Sequence, residues 1–349
     1  MASASESELT AAQQLQVPGE GATANNPHRI QIDSEDESCE FDMDFADIKS
    51  LSSSVLEYEY ENGRRYHSNR AGNYMMPNDE EEQDRMDLTT MKAHHIWLML
   101  MKGELHKAPI VNPQNILDLG TGTGIWALDI AEKFPQAHVI GNDISPIQPS
   151  WTLPNVEFIV ENIEDAWLYK PNHFDFIHAR LLAGSIADWP AFLKTIYTHI
   201  RPGGYFEIQE SAVWAWSDDG SLKADSPLFQ YVQALDAAGH AIGRELNIYY
   251  KLRDWLVETG FEDVQQYTYL LPYSPWPRDP YLKEIGKFQA AQVNQAVEAY
   301  GLRLLTQVLG WGAEPSRIFQ ALVKKQLMVR ELHAYVKEVV VYGRKPLNV

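Results

Sequence analysis

Three glycines spaced two residues apart follow a short apolar run that ends beside an acidic residue. The run is Asn-Ile-Leu-Asp-Leu at residues 115–119, and Gly120, Gly122 and Gly124 come directly after it. Residues 125–134 then have the apolar periodicity of a helix. A strand, a glycine-rich turn and a helix together form a site where a ligand can lie against bare backbone amides. The chemistry of the chain therefore depends on which ligand this turn takes.

The spacing of the glycines narrows the choice of ligand. It reads G-x-G-x-G, whereas the dinucleotide fingerprint G-x-G-x-x-G requires a glycine at position 125, which is Ile125 here. An NAD-dependent dehydrogenase is therefore disfavoured. Asp118 precedes the first glycine by two residues and suits a cationic ligand better than a pyrophosphate. S-adenosylmethionine carries an ammonium, a sulfonium and a carboxylate, and we expect Asp118 near its ammonium. An ordinary strand-to-helix turn with a chance Asp is the simpler alternative.

A second acidic residue stands about twenty residues further along, at a distance that suits ribose recognition. Residues 139–143 read as a strand that ends in Asp143, and Ile144 follows it. A carboxylate at such a strand end can accept two hydrogen bonds from ribose hydroxyls. The cofactor-binding residues predicted at these two strand ends are Asp118, Gly120, Thr121, Gly122, Gly124, Asp143 and Ile144.

Charge and composition disfavour several kinds of partner. The formal net charge is −19 over 349 residues, and residues 1–55 contribute −9 of it, so the remainder is acidic as well. A phosphate backbone would be repelled, which disfavours a nucleic-acid substrate. The single cysteine, Cys39, allows neither an intrachain disulfide nor a cysteine cluster for zinc, and no metal site is expected. No apolar run reaches the length of a membrane span and the first residues lack a signal-peptide core, which predicts a cytoplasmic or nuclear protein that is not secreted.

Three regions of the chain differ in composition. Residues 1–52 are rich in Ser, Ala, Gln, Asp and Glu without periodicity, which predicts a disordered acidic tail. It serves either as a solubilising tail or as a surface for a protein partner. Residues 53–105 are expected to form an aromatic and basic lid segment, followed by a helix from about Pro77 to about Lys102. Residues 106–349 are expected to form the cofactor-binding domain, with a helical cap at about 272–333.

The remaining pattern alternates strands with helices. Strands are expected near residues 115–119, 138–142, 156–160, 173–178, 204–209, 261–271 and 335–342. Helices are expected near residues 123–133, 147–151, 161–168, 189–200, 226–242 and 248–259. Regular alternation predicts an α/β fold with a parallel sheet and helices on both faces.

These motifs carry a family resemblance. Residues 115–210 resemble a class I S-adenosylmethionine-dependent methyltransferase, and the glycine motif identifies only that superfamily. Other runs are similar to the fungal LaeA-like methyltransferases of secondary metabolism. The most specific of these are Ser-Pro-Ile-Gln-Pro at residues 145–149 and Gly-Ser-Ile-Ala-Asp-Trp at residues 184–189. The runs Glu-Asn-Gly-Arg-Arg-Tyr-His at residues 61–67 and Pro-Asn-Asp-Glu at residues 77–80 extend the resemblance into the lid segment.

The resemblance implies a Rossmann-like seven-stranded sheet whose last strand is antiparallel, with the cofactor at the carboxyl ends of the first strands. It also implies that Asn162 and Ile163, after the third strand, meet the adenine, although many methyltransferases carry Asp in that loop. His178, at the end of the fourth strand, falls where cofactor and acceptor meet. In the lid segment, Tyr66 and Arg70 would close over the cofactor, with Arg70 on its carboxylate; simple packing is the alternative.

Methyl transfer from a sulfonium needs little catalytic machinery. It is an in-line displacement of an activated leaving group, so positioning and removal of water are most of the task. A base is needed only where the nucleophile carries a proton of high pKa. The candidates are His178, then His67 in the lid segment, and Glu210, which ends the fifth strand and could orient the acceptor. For each of them, a packed or solvent-facing residue is the simpler interpretation.

The acceptor is the least determined part of the reaction. Trp214 and Trp216, with Tyr273 and Trp276, are expected to line an apolar acceptor pocket or else a core between cap and sheet. The loop after the fourth strand lacks the Pro-Pro-aromatic run of amino-methylating DNA enzymes and the double glutamate of arginine methyltransferases. This leaves a small-molecule acceptor resembling a secondary metabolite, which is expected, or an unusual protein acceptor. The alternative is a LaeA-like regulatory methyltransferase that acts in a nuclear protein complex controlling secondary metabolism and development.

Overall fold

Seven β-strands form one mixed sheet, and each begins within a few residues of an apolar run recognisable in the sequence. A computed structural model describes residues 30–33, 58–61, 64–67, 92–149 and 151–348 of the chain. Arg70 and the expected start of the first helix at Pro77 lie outside these described residues. The strands of the sheet are β3 (Asn115–Leu119), β4 (His138–Asp143), β5 (Val156–Val160), β6 (Phe174–Arg180), β7 (Ile200–Ser211), β8 (Glu262–Pro272) and β9 (Tyr335–Arg344).

The order of these strands is β5-β4-β3-β6-β7-β9-β8. The first five strands along this order are parallel, whereas β9 lies antiparallel between β7 and β8. This arrangement confirms the Rossmann-like seven-stranded sheet with an antiparallel last strand. Because the strand order reverses beside β3, the carboxyl ends of β3 and β6 border an open crevice where such folds bind ligands.

Two further strands form a separate hairpin. They are β1 (Tyr58–Glu61) and β2 (Arg64–His67), which pair antiparallel with Tyr58 opposite His67 and Glu59 opposite Tyr66. The lid segment predicted from the sequence includes this hairpin.

Seven α-helices in the described residues pack around the sheet. They are α1 (92–100), α2 (Ile125–Lys133), α3 (Trp189–His199), α4 (Pro227–Ala241), α5 (Leu252–Thr259), α6 (Pro280–Arg303) and α7 (Ala313–Leu327). A π-helical turn, Leu304–Val308, follows α6 directly. Side chains cap three of these helices: Asp188, Ser226 and Asp279 each accept a hydrogen bond from a backbone amide of the first turn.

Two expected short helices are wrong. Residues 147–149 and 161–168 form bends and turns rather than helices. In the first segment, Pro149 disfavours a helical backbone at the residue before it, Gln148. In the second, the Asn162 side chain accepts a hydrogen bond from the amide of Glu164 and so stabilises a local turn in place of a helix.

Alternate residues of the central strands fill two cores on opposite faces of the sheet. Leu117 and Ile177 are fully buried in the larger core, which also contains side chains from α3, α4 and α5. Ile116 and Phe176 are buried on the other face with Trp126 of α2. Because side chains alternate along a strand, Asp118 and His178 share the face of Ile116 and Phe176. The two polar residues are thus held beside α2, at the crevice.

Four residues of the predicted acidic tail are described and contact the domain. Within residues 1–52, residues 30–33 lie against the segment before α6: the Asp33 amide donates to the Trp276 carbonyl and the Arg278 amide donates to the Gln31 carbonyl. Ile30 is buried and Asp33 forms an ion pair with Lys283 of α6. The contact of residues 30–33 could not be predicted from the sequence, because a single buried isoleucine in an acidic segment produces no periodic pattern. The division into tail, lid, domain and cap otherwise stays a prediction.

Candidate active site

The carboxyl ends of β3, β4, β5 and β6 surround a cavity of about 210 Å³, here called the cofactor cleft. The structure brings most of the predicted cofactor residues to its wall. Those that line it are Asp118, Gly120, Thr121, Gly122, Asp143, Ile144, Asn162, Ile163 and His178.

Asp118 is held in place by two neighbouring side chains. It is almost fully buried, its Oδ2 accepts a hydrogen bond from the Thr121 hydroxyl at 2.6 Å, and its Oδ1 lies 2.7 Å from His178 Nδ1. β3 and β6 pair in the register that sets Asp118 opposite His178, so the contact follows directly from strand pairing. Since a carboxylate only accepts hydrogen bonds, His178 donates from Nδ1. Asp118 therefore presents a fixed negative charge at the edge of the cleft.

His178 is more deeply enclosed than its strand-end position suggested. Its side chain has no exposed surface, and its ring stacks on Trp126 with centroids 3.6 Å apart. Burial lowers the pKa of His178 to about 4, although Asp118 opposes this shift, so the imidazole is neutral near pH 7. This burial argues against the predicted role as a general base. Its geometry instead suits the orientation of Asp118.

The three glycines of the turn have different local constraints. All three have positive φ, at 64°, 58° and 84° for Gly120, Gly122 and Gly124, which disfavours side chains. A Cβ at Gly120 would lie 2.7 Å from Leu182, and one at Gly124 would collide with the ring of Phe158. Among the described residues, apart from its two chain neighbours, no atom lies within 4 Å of the corresponding position at Gly122. Gly120 and Gly124 thus permit close packing, whereas Gly122 keeps space open at the wall of the cleft.

Asp143 is fixed by backbone amides on either side of the cleft. Its Oδ2 accepts from the Gly122 amide and its Oδ1 from the Ser145 amide, each at 2.9 Å. Burial raises the pKa of this carboxyl, and the two amide donors oppose that shift. The bond to Gly122 ties the end of β4 to the glycine turn. Asp143 is therefore oriented before any ligand arrives, and Ile144 next to it lines the same wall.

The loop after β5 uses its polar side chain internally. The Asn162 side chain donates to Asp165 and accepts from the Glu164 amide, at 3.1 and 3.2 Å. The Ile163 carbonyl accepts a hydrogen bond from the Trp167 indole at 2.9 Å. Asn162 therefore shapes the loop that presents Ile163 to the cleft, and the contact of this loop with adenine stays a prediction.

Arg180 is a cleft residue that the list of predicted cofactor ligands missed. It lines the cleft at the end of β6, where its Nε donates to Gln209 and its Nη1 lies 3.0 Å from His94 Nδ1. Its guanidinium lies over the ring of Trp97. Burial lowers the pKa of Arg180 to about 10, which still leaves the side chain charged near pH 7. Its position at the end of a predicted strand, two residues after His178, was the available sequence signal.

Two of the three predicted lid residues lie in the hairpin. Tyr66 and His67 belong to β2, and their backbones pair with β1. Arg70 lies outside the described residues. Their roles at the cofactor stay predictions.

A second cavity of about 250 Å³ adjoins the cofactor cleft and is here called the apolar cavity. Ala93, Leu181, Gln292 and Tyr300 line both cavities, so the two share a boundary formed by α1, α6 and the chain after β6. The rest of its wall is mostly aliphatic and aromatic. Its aliphatic and aromatic residues include Ile96, Trp214, Leu228, Tyr231, Val232, Leu271, Tyr273, Val293, Val297 and Val336.

Two of the four aromatic residues expected around an acceptor lie at this cavity. Trp214 and Tyr273 line it. Trp216 instead stacks on Tyr335, and the Trp276 indole donates to the Ala334 carbonyl. These two belong to the packing between the sheet and residues 30–33. Trp214 and Tyr273 thus fit the expected aromatic pocket, whereas Trp216 and Trp276 fit the alternative of a packed core.

Glu210 lies at the wall of the apolar cavity but is bonded on both oxygens. Its Oε2 accepts from the amides of Leu182 and Ala183, and its Oε1 accepts from the Ser211 amide. Burial raises its pKa to about 7, despite these three donors. Glu210 therefore holds the chain after β6 in place, and that chain forms the boundary between the two cavities.

Comparison with known proteins identifies the family. A family model described as a methyltransferase domain matches residues 98–307. The chain is 40% identical over 326 residues to "Methyltransferase pytC" of Aspergillus terreus. The aligned region covers 93% of this chain and 98% of the relative. The chain belongs to the methyltransferase-domain family. This methyltransferase uses S-adenosylmethionine, as the glycine motif predicted, and its membership of the LaeA-like group is supported by further relatives.

Two of these further relatives have names that state a more specific role than the name of the first. The methyltransferase is 36% identical over 294 residues to "Secondary metabolism regulator LAE1" of Cochliobolus heterostrophus, across 82% of this chain and 94% of the relative. It is 33% identical over 305 residues to "Protein-methionine methyltransferase laeA" of Emericella nidulans, across 86% of this chain and 79% of the relative. The family thus includes proteins named as regulators beside proteins named only as methyltransferases.

Solved structures resemble the chain at low sequence identity. One is phosphoethanolamine N-methyltransferase 2 of Haemonchus contortus, with a TM-score of 0.41, 18% identity and coverage of 78% of this chain and 54% of that chain.

Two kinds of feature are absent from the described residues of the present chain. None of its helices there combines the length and the apolar character that a membrane span requires. The described residues also contain no group of three or more His, Cys, Asp or Glu side chains that could hold a metal ion.

Proposed function

We propose that this methyltransferase transfers the methyl group of S-adenosylmethionine to a small, largely apolar acceptor. The observation that carries the proposal is the apolar cavity, which shares four wall residues with the cofactor cleft. Small-molecule sites are concave and mostly apolar with a few polar groups, and this cavity has that character. A cavity of about 250 Å³ suits an acceptor of one or two fused rings.

The chemistry of the cleft fits the cofactor. Gly122 leaves room for a close approach, and the Asp143 carboxylate is pre-oriented to accept hydrogen bonds from ribose hydroxyls. Asp118 supplies negative charge for the ammonium group, and Arg180 supplies positive charge for the carboxylate. Ile144 and Ile163 would pack on the adenosine. When bound, the cofactor supplies a methyl group on a positively charged sulfur, which leaves as a neutral thioether.

The residues of this chain then act mainly by positioning. The His178–Asp118–Thr121 contacts fix one end of the cofactor cleft, and Glu210 fixes the chain that separates the two cavities. Rigid placement of two reactants removes much of the entropic cost of a bimolecular displacement. The apolar wall excludes water from the acceptor. We further propose that Tyr66, His67 and Arg70 of the lid segment cover the cleft when the cofactor is bound.

Distribution of a labelled methyl group tests the proposal. The protein would be incubated with S-adenosylmethionine labelled in the methyl group and a panel of hydroxylated bicyclic aromatic compounds. We expect label in the organic fraction with wild-type protein and at least tenfold less with Ala296→Trp, which fills the apolar cavity. Equal cofactor affinity of both proteins is the control. Equal transfer by both proteins would contradict the assignment of the acceptor to this cavity.

A second function is favoured by a specific observation, the similarity to relatives named as secondary metabolism regulators and as a protein-methionine methyltransferase. In that function the acceptor is a protein, and the acidic tail contributes to assembly in a nuclear complex. Label that remains with precipitated protein, and not in the organic fraction, would favour it. A pull-down with full-length protein and with a variant lacking residues 1–29 would then test whether the tail holds the partner.

A further inference from the structure

Glu338 is a buried acid in a strand that is otherwise apolar at its centre. It lies in β9 between Lys337 and Val339, is only 5% exposed and lines the apolar cavity. Its Oε1 accepts a hydrogen bond from the Ser211 hydroxyl at 2.9 Å. Its Oε2 is buried and has no hydrogen-bond partner among the described residues. A buried polar atom without a partner is costly, so its retention calls for a physical reason.

Three other polar side chains at the same wall already have partners. Glu210 is bonded on both oxygens by backbone amides. The Tyr231 hydroxyl donates to the Val297 carbonyl at 2.7 Å, and the Tyr273 hydroxyl lies 3.4 Å from the Trp214 carbonyl. Glu338 Oε2 is therefore a polar atom that a ligand in the cavity can bind without displacing an existing hydrogen bond.

We propose that Glu338 binds a hydroxyl group of the acceptor and thereby selects hydroxylated aromatic or alicyclic molecules over purely apolar ones. This inference rests on the proposed function, because it assumes that the apolar cavity holds the acceptor. A hydroxyl group suits the position in either protonation state of the acid: it donates to a carboxylate oxygen and accepts from a carboxylic acid. An ammonium group only donates hydrogen bonds, so it would match only the carboxylate. A second carboxylate only accepts them, so it would match only the carboxylic acid.

The surroundings support a neutral or weakly charged ligand. Burial raises the pKa of Glu338 well above its ordinary value, and Glu210 nearby adds to the shift while Arg180 opposes it. The remaining wall is dominated by Leu, Val, Trp and Tyr side chains. A cationic ligand would lose its hydration there with little compensation. A ligand with one hydroxyl group on an otherwise apolar skeleton matches both the unpaired Glu338 Oε2 and the apolar wall.

Binding of two nearly isosteric probes tests the inference directly. The probes are 1-naphthol and 1-methylnaphthalene, titrated by calorimetry into full-length protein saturated with S-adenosylhomocysteine. Wild-type protein is expected to bind 1-naphthol about tenfold more tightly, the effect of one additional hydrogen bond to a buried acid. Glu338→Leu should bring the affinity ratio close to one, while Glu338→Gln, which keeps hydrogen-bonding atoms, should retain part of the preference.

Each outcome separates this inference from the proposed function. Equal affinity of the two probes for wild-type protein, or an unchanged preference in Glu338→Leu, would overturn the role of Glu338 and leave the acceptor cavity intact. Binding of neither probe to wild-type protein would overturn the acceptor cavity itself. Ala296→Trp, which fills the cavity, should abolish binding of both probes, and persistent binding would place them elsewhere and overturn the inference. Unchanged affinity for S-adenosylhomocysteine confirms that each variant is folded.

Discussion

At the scale of single residues, the cleft depends on acids whose orientation is fixed by the backbone. Asp143 is held by the amides of Gly122 and Ser145, so Asp143→Ala removes the proposed acceptor of the ribose hydroxyls. We expect at least a tenfold loss of affinity for S-adenosylhomocysteine by calorimetry, since two hydrogen bonds to a charged group are lost. Asp254→Ala, at an exposed acid of α5, is the control and should bind like wild-type protein. Equal affinity of both variants would remove Asp143 from the site.

Glu210 gives the molecule a specific dependence of stability on pH. Its pKa is about 7 in the folded protein and near 4.5, the ordinary value, in an unfolded chain. Between these values the folded state retains a proton that the unfolded state has released, so the free energy of unfolding falls as pH rises from about 4.5 to 7. The contribution of this group is on the order of 3 kcal/mol, and it levels off above the folded pKa.

Glu210→Gln tests this dependence, because an amide does not titrate. The free energy of unfolding of the variant, minus that of wild-type protein, should become more positive between pH 5 and pH 8, as measured by urea denaturation. Because Glu210 contributes to the raised pKa of Glu338, both proteins carry Glu338→Gln in this comparison, so that the coupling between the two acids is absent. A constant difference across this range would show that Glu210 keeps an ordinary pKa.

Residues of the site differ in how well the sequence reveals them. The glycine turn and Asp143 were predictable, because spacing and strand ends identify them without knowledge of the fold. Glu338 was not, because it acquires its significance only when β9 pairs with β7 and brings it beside Ser211. The burial of His178 was not predictable either, since the stack on Trp126 depends on how α2 packs against β6.

At the scale of elements, the strand–turn–helix unit of β3 and α2 combines packing and binding in one short segment. Gly124→Ala should lower the free energy of unfolding by about 2–3 kcal/mol, because its Cβ would collide with Phe158 at a positive φ. Gly122→Ala should cost only about 1 kcal/mol of stability from backbone strain but weaken cofactor binding at least tenfold. Thermal unfolding and calorimetry on both variants would measure this. If the two substitutions change stability and cofactor affinity by the same amounts, the assignment of packing to Gly124 and of cofactor access to Gly122 is wrong.

The elements themselves were largely predictable from apolar periodicity. All seven strands of the sheet begin within about four residues of their expected positions, as expected for long buried runs. The two failures, at residues 147–149 and 161–168, are short segments where a proline or an asparagine side chain determines the local structure. Periodicity carries no information in segments that contain only two turns of helix.

At the scale of the whole molecule, residues 30–33 connect the acidic N-terminal region to α6. Removal of residues 1–29 should leave the melting temperature unchanged, whereas removal of residues 1–52 should lower the free energy of unfolding by about 1–3 kcal/mol. The second deletion loses the burial of Ile30 and the ion pair between Asp33 and Lys283. Differential scanning calorimetry of the two truncated proteins measures the difference. Identical melting temperatures would mean that this contact contributes nothing to stability.

The central claim is that the two adjoining cavities hold cofactor and acceptor, and a crystal structure with S-adenosylhomocysteine tests it most directly. We predict that the adenosine lies against Asp143, Ile144 and Ile163, with the sulfur at the boundary formed by Leu181 and Tyr300, facing the apolar cavity. Adenosine in the apolar cavity, or a sulfur directed away from that boundary, would contradict the account.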